Sequence, residues 1–286
     1  TLLDFGFTVG RQSITFQEGI IVNDTVDMLG FVRNNLVFPG TSNLRISGMW
    51  AWNRLDRNDS LRGSDSDADM YALFFFADAP VSTYNIDTIL VNDKGSGDGF
   101  YLGLSSIQRL RDFGGVSTAF RLNSSFALED EIGGNVVGDG TLLTAEISSL
   151  VPESSDIIFF NTYWGIDNYT QAGREAIVGG PLANTGILFA SPNLSTHGAE
   201  INPFTDDTAG FAIGYQAFWD NHRRNLILEL ATRRDLKGGE TDALGVGYQL
   251  QQAVGQNFQI QLDGWYTFQP GENDDSGARF EVLVVF

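Results

Sequence analysis

The chain has 286 residues, with 36 acidic against 17 basic side chains and a formal net charge of −19, so a phosphate backbone would be repelled by most of its surface and nucleic acid is excluded as a partner. Hydrophobic residues at 42% exclude a disordered polar chain, and the absence of cysteine excludes a disulfide framework or a thiolate metal centre. Abundant glycine (33), scarce proline (7) and 12% aromatic residues favour strands and tight turns over helices.

No apolar run approaches the roughly 18 residues of a transmembrane helix. The opening "TLLDFGFTVG" lacks the basic region of a signal peptide, so an exported protein would already have lost its signal. Period-two alternation instead predicts strands, in chain order, over 2–10, 26–34, 44–55, 69–79, 83–92, 99–110, 119–128, 141–151, 156–166, 208–219, 226–234, 242–253, 258–268 and 278–286. Most of these about fourteen segments are near the roughly 9–11 residues with which a tilted strand crosses a bilayer.

The two faces differ in chemistry. In 119–128, Phe120, Leu122, Phe126 and Leu128 oppose Arg121, Asn123 and Ser125. In 226–234, which taken alone also suits a helix, Leu226, Leu228 and Leu230 oppose Glu229 and Arg233. In 258–268, Phe258, Ile260, Leu262, Tyr266 and Phe268 oppose Gln259, Gln261, Asp263 and Thr267. The connections alternate in length: 78–83, 111–117, 151–156, 219–225 and 253–257 are short, while 56–69, 92–99, 129–140, 167–207, 234–242 and 269–277 are longer and polar. Up-and-down outer-membrane barrels have short periplasmic turns and longer outer loops. Alternation alone also fits a soluble sandwich. Strand length, loop alternation and aromatic residues toward strand ends (Trp50, Trp52, Tyr84, Trp164, Tyr215, Trp219, Tyr266) favour a membrane barrel with aromatic girdles. The expected fold is therefore all-β, a transmembrane antiparallel up-and-down β-barrel formed by a single domain, 1–286, with a long extracellular loop over 167–207.

The chain ends on "ARFEVLVVF", with Phe280, Val282, Val284 and Phe286 on one face and Arg279 and Glu281 on the other. This resembles the C-terminal strand of bacterial outer-membrane proteins, and the resemblance implies recognition by the outer-membrane insertion machinery. Near the front, "TVGRQSITFQEGIIVNDTVDMLGFVR" (8–33) resembles the Gly-Arg-Gln strand and following loop of the alginate-export family of outer-membrane porins. In that family several strands precede this segment, so the resemblance implies either a shorter barrel or an amino-terminal portion lying outside this sequence. Too few basic residues are present for a polyanion such as alginate.

Alternation places Arg45, Asp87, Arg121, Glu146, Glu229, Arg233, Asp263, Arg279 and Glu281 on the polar face, as candidate pore-lining residues joined by Asn161, Gln249, Gln251, Gln259 and Gln261. Arg11 and Gln12 of the family-like segment are assigned to the same face. Opposed charges would orient hydrated solutes, and amides offer donors and acceptors. Alternatively these residues are cross-strand pairs that stabilise the wall. In "DSDAD", Asp65, Asp67 and Asp69 are weak Ca²⁺ candidates, but Met70 stands where an EF-hand needs glycine. No cofactor is expected. The only histidines, His197 and His222, fall in connections, so no serine–histidine site is built and no enzyme is expected.

These readings predict an outer-membrane porin for passive diffusion of small hydrophilic solutes, with cations or neutral solutes favoured over anions. The alternative is a non-conducting barrel serving as a structural, adhesive or complex-forming surface protein. Outer-membrane lipid and lipopolysaccharide are the expected surroundings, the latter bridged to acidic loops by divalent cations.

Overall fold

Each predicted strand is present in the computed structural model, which describes residues 4–52, 55, 68–93, 97–110, 115–128, 137–167, 169–174, 188, 207–238, 242–271 and 274–284. The strands are β1 (Phe5–Phe16), β2 (Val22–Leu36), β3 (Asn43–Trp52), β4 (Asp69–Asp78), β5 (Ser82–Asn92), β6 (Gly99–Leu110), β7 (Val116–Ala127), β8 (Gly140–Leu150), β9 (Ile157–Asp167), β10 (Gly173–Arg174), β11 (Thr208–Trp219), β12 (Arg224–Asp235), β13 (Ala243–Val254), β14 (Phe258–Phe268) and β15 (Asp275–Val284). Apart from β10, which pairs in parallel with β2, they follow chain order along one sheet of fourteen up-and-down antiparallel strands. Residues 226–234 are strand, not helix. Among the described residues no ladder joins β1 to β15. Phe286 lies outside the described residues.

The largest boundary change is at the front. β1 and β2 pair from Phe5↔Arg33 to Phe16↔Val22, so the connection expected over 11–25 shrinks to the turn 17–21.

The described chain divides into two compact units, Thr1–Arg109 with Ala119–Leu143 and Gly165–Val178, and Leu110–Thr118 with Thr144–Trp164 and Gly179–Phe286. In the first, β1 to β6 form an antiparallel meander whose register sets the faces. Phe7, Leu29, Phe31, Trp50, Tyr71 and Leu90 stand exposed on one face, Phe7 at 77%. On the other, Val22, Val26, Met28, Ala51, Met70, Ile89, Val91 and Tyr101 are buried in a single apolar cluster.

That cluster corrects the expectation of a uniformly polar second face. Its cover is the turn 17–21, which opens with a 3-10 segment at Gln17–Gly19 and buries Ile20 and Ile21 completely. Burying an isoleucine side chain contributes about 1.5–3 kcal/mol. Gly103 makes the seat, because a Cβ there would lie 2.3 Å from Ile21 Cδ1. The start of the long connection straps the turn down. The Tyr169 hydroxyl donates to the Ile20 carbonyl at 2.9 Å, Gln171 Nε2 to the Gly19 carbonyl at 2.6 Å, and the Ala172 amide to the Ile21 carbonyl at 2.9 Å, before Gly173 and Arg174 pair with Val22 and Asn23. Tyr169 is buried throughout, which holds its phenol well above the usual range.

In the second unit, β9 and β11 to β15 pair in sequence, with Phe160, Trp164, Phe211, Tyr215, Leu228, Val246 and Tyr266 among the exposed apolar side chains. The opposite face carries a smaller cluster of Phe159, Ala212, Ile227, Ala231 and Ala243, into which Leu188 of the long connection is packed. Aromatic rings lie over cross-strand glycines on both faces, as in the partners Phe159↔Gly214, Tyr248↔Gly264 and Trp265↔Gly277. The ring covers backbone that glycine leaves bare, which pins the register.

The turn 151–156 is tied to β11 by Asp156, which accepts hydrogen bonds from the Tyr215 hydroxyl and, at 2.8 Å, from the Phe218 amide. These bonds, the tyrosine's first, hold the Asp156 carboxyl below the usual carboxylate range. A depressed folded value stabilises the fold at pH above about 4 and is lost as pH falls through that value.

Two outcomes follow. A Cβ at Gly214 would sit 2.0 Å from the Phe159 ring, so Gly214→Ala is expected to lower unfolding stability by about 1–3 kcal/mol in urea titration, and Phe159→Leu in the same chain to restore part of it. Asp156→Asn is expected to destabilise at neutral pH and to flatten the acid limb of stability below about pH 4; an unchanged acid limb would show that the carboxylate carries no linkage.

Candidate functional site

All nine residues proposed as pore-lining fall on the face opposite the exposed apolar side chains, because each lies an odd number of positions from an exposed apolar neighbour on its own strand. In the first unit, Arg45, Asp87 and Arg121 line a cavity of about 280 Å³ beneath the inward turn, with Phe16, Gln17, Phe74, Phe76, Asn85 and Ser105. Arg45 stacks its guanidinium 4.5 Å above the Phe76 ring. Asp87 is buried and accepts from Gln17 Nε2 at 2.5 Å. That bond holds the non-glycine Gln17 in a left-handed conformation, φ +50°. Asn85 donates to Ser105 at 3.1 Å.

In the second unit the register stacks two polar rows. One reads Gln249↔Asp263↔Arg279, and the next Asn225↔Gln251↔Gln261↔Glu281. Their side chains form one directed relay. Gln216 Nε2 donates to Asn225 (3.2 Å) and Asn225 Nδ2 to Gln251 (3.4 Å). Gln251 Nε2 then donates to both Gln249 (2.9 Å) and Gln261 (3.0 Å). Gln249 and Gln261 donate to Asp263 at 2.8 and 2.9 Å, and Arg279 grips the same carboxylate at 2.6 Å through Nε and 2.5 Å through Nη2. Every donor points toward Asp263, which is fully buried. Reversing one amide would set like atoms against each other, so the acceptor at the end fixes the direction of the chain. Glu281, half-exposed, lies 3.7 Å from Arg279. Glu229 is buried and receives the Leu188 amide at 3.1 Å. Glu146 on β8 and Arg233 on β12 are half-buried on the same face.

The structure thus joins Asp263, Arg279 and Glu281 in the second unit and gathers Arg45, Asp87 and Arg121 at one cavity in the first. Arg11 is not on that face. It stands with the exposed apolar residues of β1 and pairs with Asp27 at 3.1 Å, since its odd position matches Phe7 and Val9; Gln12 keeps the opposite side. Asp65, Asp67 and His197 lie outside the described residues. Asp69 accepts from the Trp50 indole at 3.1 Å, and His222 packs its ring 5.4 Å from Phe218. No group of metal-ligating side chains occurs among the described residues. Sequence reasoning missed Gln17, Tyr169, Gln171 and Leu188, which sit in connections; the apolar "GII" beside Gln17 was the one available signal of burial.

Neither a protein-family model nor a curated protein sequence matches the chain. Solved structures do. The chain superposes on OccK3 (OpdO) of Pseudomonas aeruginosa with a TM-score of 0.66 at 12% identity, over 99% of this chain and 77% of that one. The fold is that of outer-membrane β-barrel porins. OccAB4 of Acinetobacter baumannii gives a TM-score of 0.65 at 10% identity, over 98% and 71% of the two chains. Wzi of Escherichia coli, an outer-membrane protein involved in group 1 capsule assembly and a carbohydrate-binding β-barrel, gives 0.62 at 12% identity, over 99% and 68%. At these identities the likeness is one of fold.

Because Asp263 is the common acceptor, Asp263→Ala is expected to cost about 3 kcal/mol by leaving Arg279 and two amides without it. Asp263→Asn, which keeps one acceptor oxygen, is expected to cost less. Urea unfolding in lipid vesicles reads both; equal small losses would show that the relay does not depend on its acceptor.

Proposed function

We propose that the protein is a porin of the bacterial outer membrane, a passive diffusion channel for small hydrophilic solutes that favours cations or neutral solutes over anions. The observation that carries this reading is the division of the sheet, in which exposed apolar side chains occupy one face and the hydrogen-bonded relay around Asp263 the other. Lipid on the first side and water on the second satisfy both faces without a second layer. Trp50, Trp164, Trp219 and Tyr266 stand exposed toward strand ends, as aromatic girdles do. Lipopolysaccharide and the insertion machinery are the partners this location implies. Of the nine polar-face residues, Arg45, Glu146, Arg233, Arg279 and Glu281 would line the channel while the buried Asp87, Arg121, Glu229 and Asp263 would brace its wall, and the excess of acidic over basic residues favours cations near it. The work of a channel is solute passage rather than catalysis.

The strapped turn 17–21 and Leu188 would narrow the path, since both place connection residues against the polar side of the strands. The same covers support a second reading, a non-conducting barrel that presents a binding surface, and the carbohydrate-binding Wzi has a similar fold.

Planar-bilayer recording separates the two. Ohmic single-channel steps are expected, with Glu281→Lys moving the reversal potential toward anion selectivity. Tyr169→Phe combined with Gln171→Ala removes the strap's side-chain bonds and is expected to raise conductance. Full insertion without current would establish the non-conducting reading instead.

A further inference from the structure

We infer that the amide relay of the second unit is a contact track for neutral polyhydroxylated solutes, of the sugar and polyol class, in preference to ions; this rests on the porin reading above and assigns its solute.

Asp263 has no exposed surface and meets Arg279 at 2.5 Å, and the half-exposed Glu281 stands 3.7 Å from the same guanidinium. The charge left over sits on Glu281 at the edge of the relay, so an ion that sheds water against the amides themselves gains little in exchange. A neutral solute bears no such desolvation cost.

The relay also has unused hydrogen-bonding capacity. An amide oxygen can accept two bonds, yet Gln251 Oε1 and Gln261 Oε1 each accept one among the described residues. Both side chains are partly exposed, so a lone pair on each is open to a donor. Gln259, one step farther along the same face of β14, makes no side-chain hydrogen bond among the described residues and keeps its donors and its acceptor. A row that offers surplus acceptors beside a free amide matches hydroxyl groups, each of which donates and accepts. An inorganic cation supplies no acceptor, and an inorganic anion supplies no donor.

The relay is ordered as well. Because every donor in the relay is directed at Asp263, the oxygens of Gln251 and Gln261 hold fixed positions before a solute arrives. Little rotamer freedom is then lost on contact.

The test uses the full chain in liposomes, with glucose as the neutral probe and gluconate as its charged counterpart. Swelling rates are expected to favour glucose. Gln251→Leu with Gln261→Leu is expected to lower the glucose-to-gluconate ratio about fivefold, as for one lost hydrogen bond, while potassium chloride conductance persists. Gln259→Ala breaks no bond of the fold and is expected to lower the ratio in the same direction, which guards against misfolding of the double variant. An unchanged ratio in Gln259→Ala and in a folded double variant overturns the track and leaves the porin reading standing. Should the chain insert and pass neither salt nor glucose, the porin reading fails. Saturation-transfer NMR of glucose on the detergent-solubilised protein then decides the track: a signal weakened by Gln259→Ala supports it, and no signal overturns it.

Discussion

Everything in this structure depends on the two-sidedness of an extended chain. Successive side chains point to opposite faces, so a sheet with one apolar and one polar face must meet two different surroundings. Phe7, Trp164 and Phe280 stand exposed on one face, while Asp263, Glu229 and Asp87 are buried on the other. That arrangement inverts a soluble protein. It is stable where hydrocarbon wets the apolar side and neighbouring strands pair their backbone groups along antiparallel ladders.

Within that constraint the two units fill their polar sides differently. The first spends much of its face on an apolar cluster covered by Ile20 and Ile21, leaving a cavity lined by charged, amide and aromatic side chains. The second remains polar along its relay and accepts one apolar residue, Leu188, whose backbone amide meets Glu229. In both, connection residues lie against the face opposite the exposed apolar side chains. The proposed selectivity therefore depends on loop anchoring as well as on strand residues.

The strands were legible because alternation is a local signal, and a segment such as 258–268 states its faces without reference to its neighbours. The polar-face residues were legible for the same reason, down to Glu281 near the end of β15. Partnership was not. Nothing in the sequence near Gln17 points to Asp87, seventy positions away, nor does Asp263 announce that four donor atoms converge on it. Both follow from register, which the glycine–aromatic partners fix only once strands are paired. Arg11 was grouped with the polar face through the family-like segment, whereas parity puts it beside Phe7 and Val9; its ion pair with Asp27 is the cross-strand pairing that stood as the alternative. The turn 17–21 is not legible from alternation because its apolar residues interrupt the period.

If the sheet is two-sided, alternate residues of one strand face lipid and water. The native chain has no cysteine, so single cysteines placed in turn at 258–268 and spin-labelled in bilayers give an unobstructed reading. Accessibility to oxygen should peak at the even positions, such as Leu262 and Tyr266, and accessibility to a water-soluble nickel chelate at the odd ones, such as Gln259 and Gln261. Equal chelate access along both faces would contradict the account.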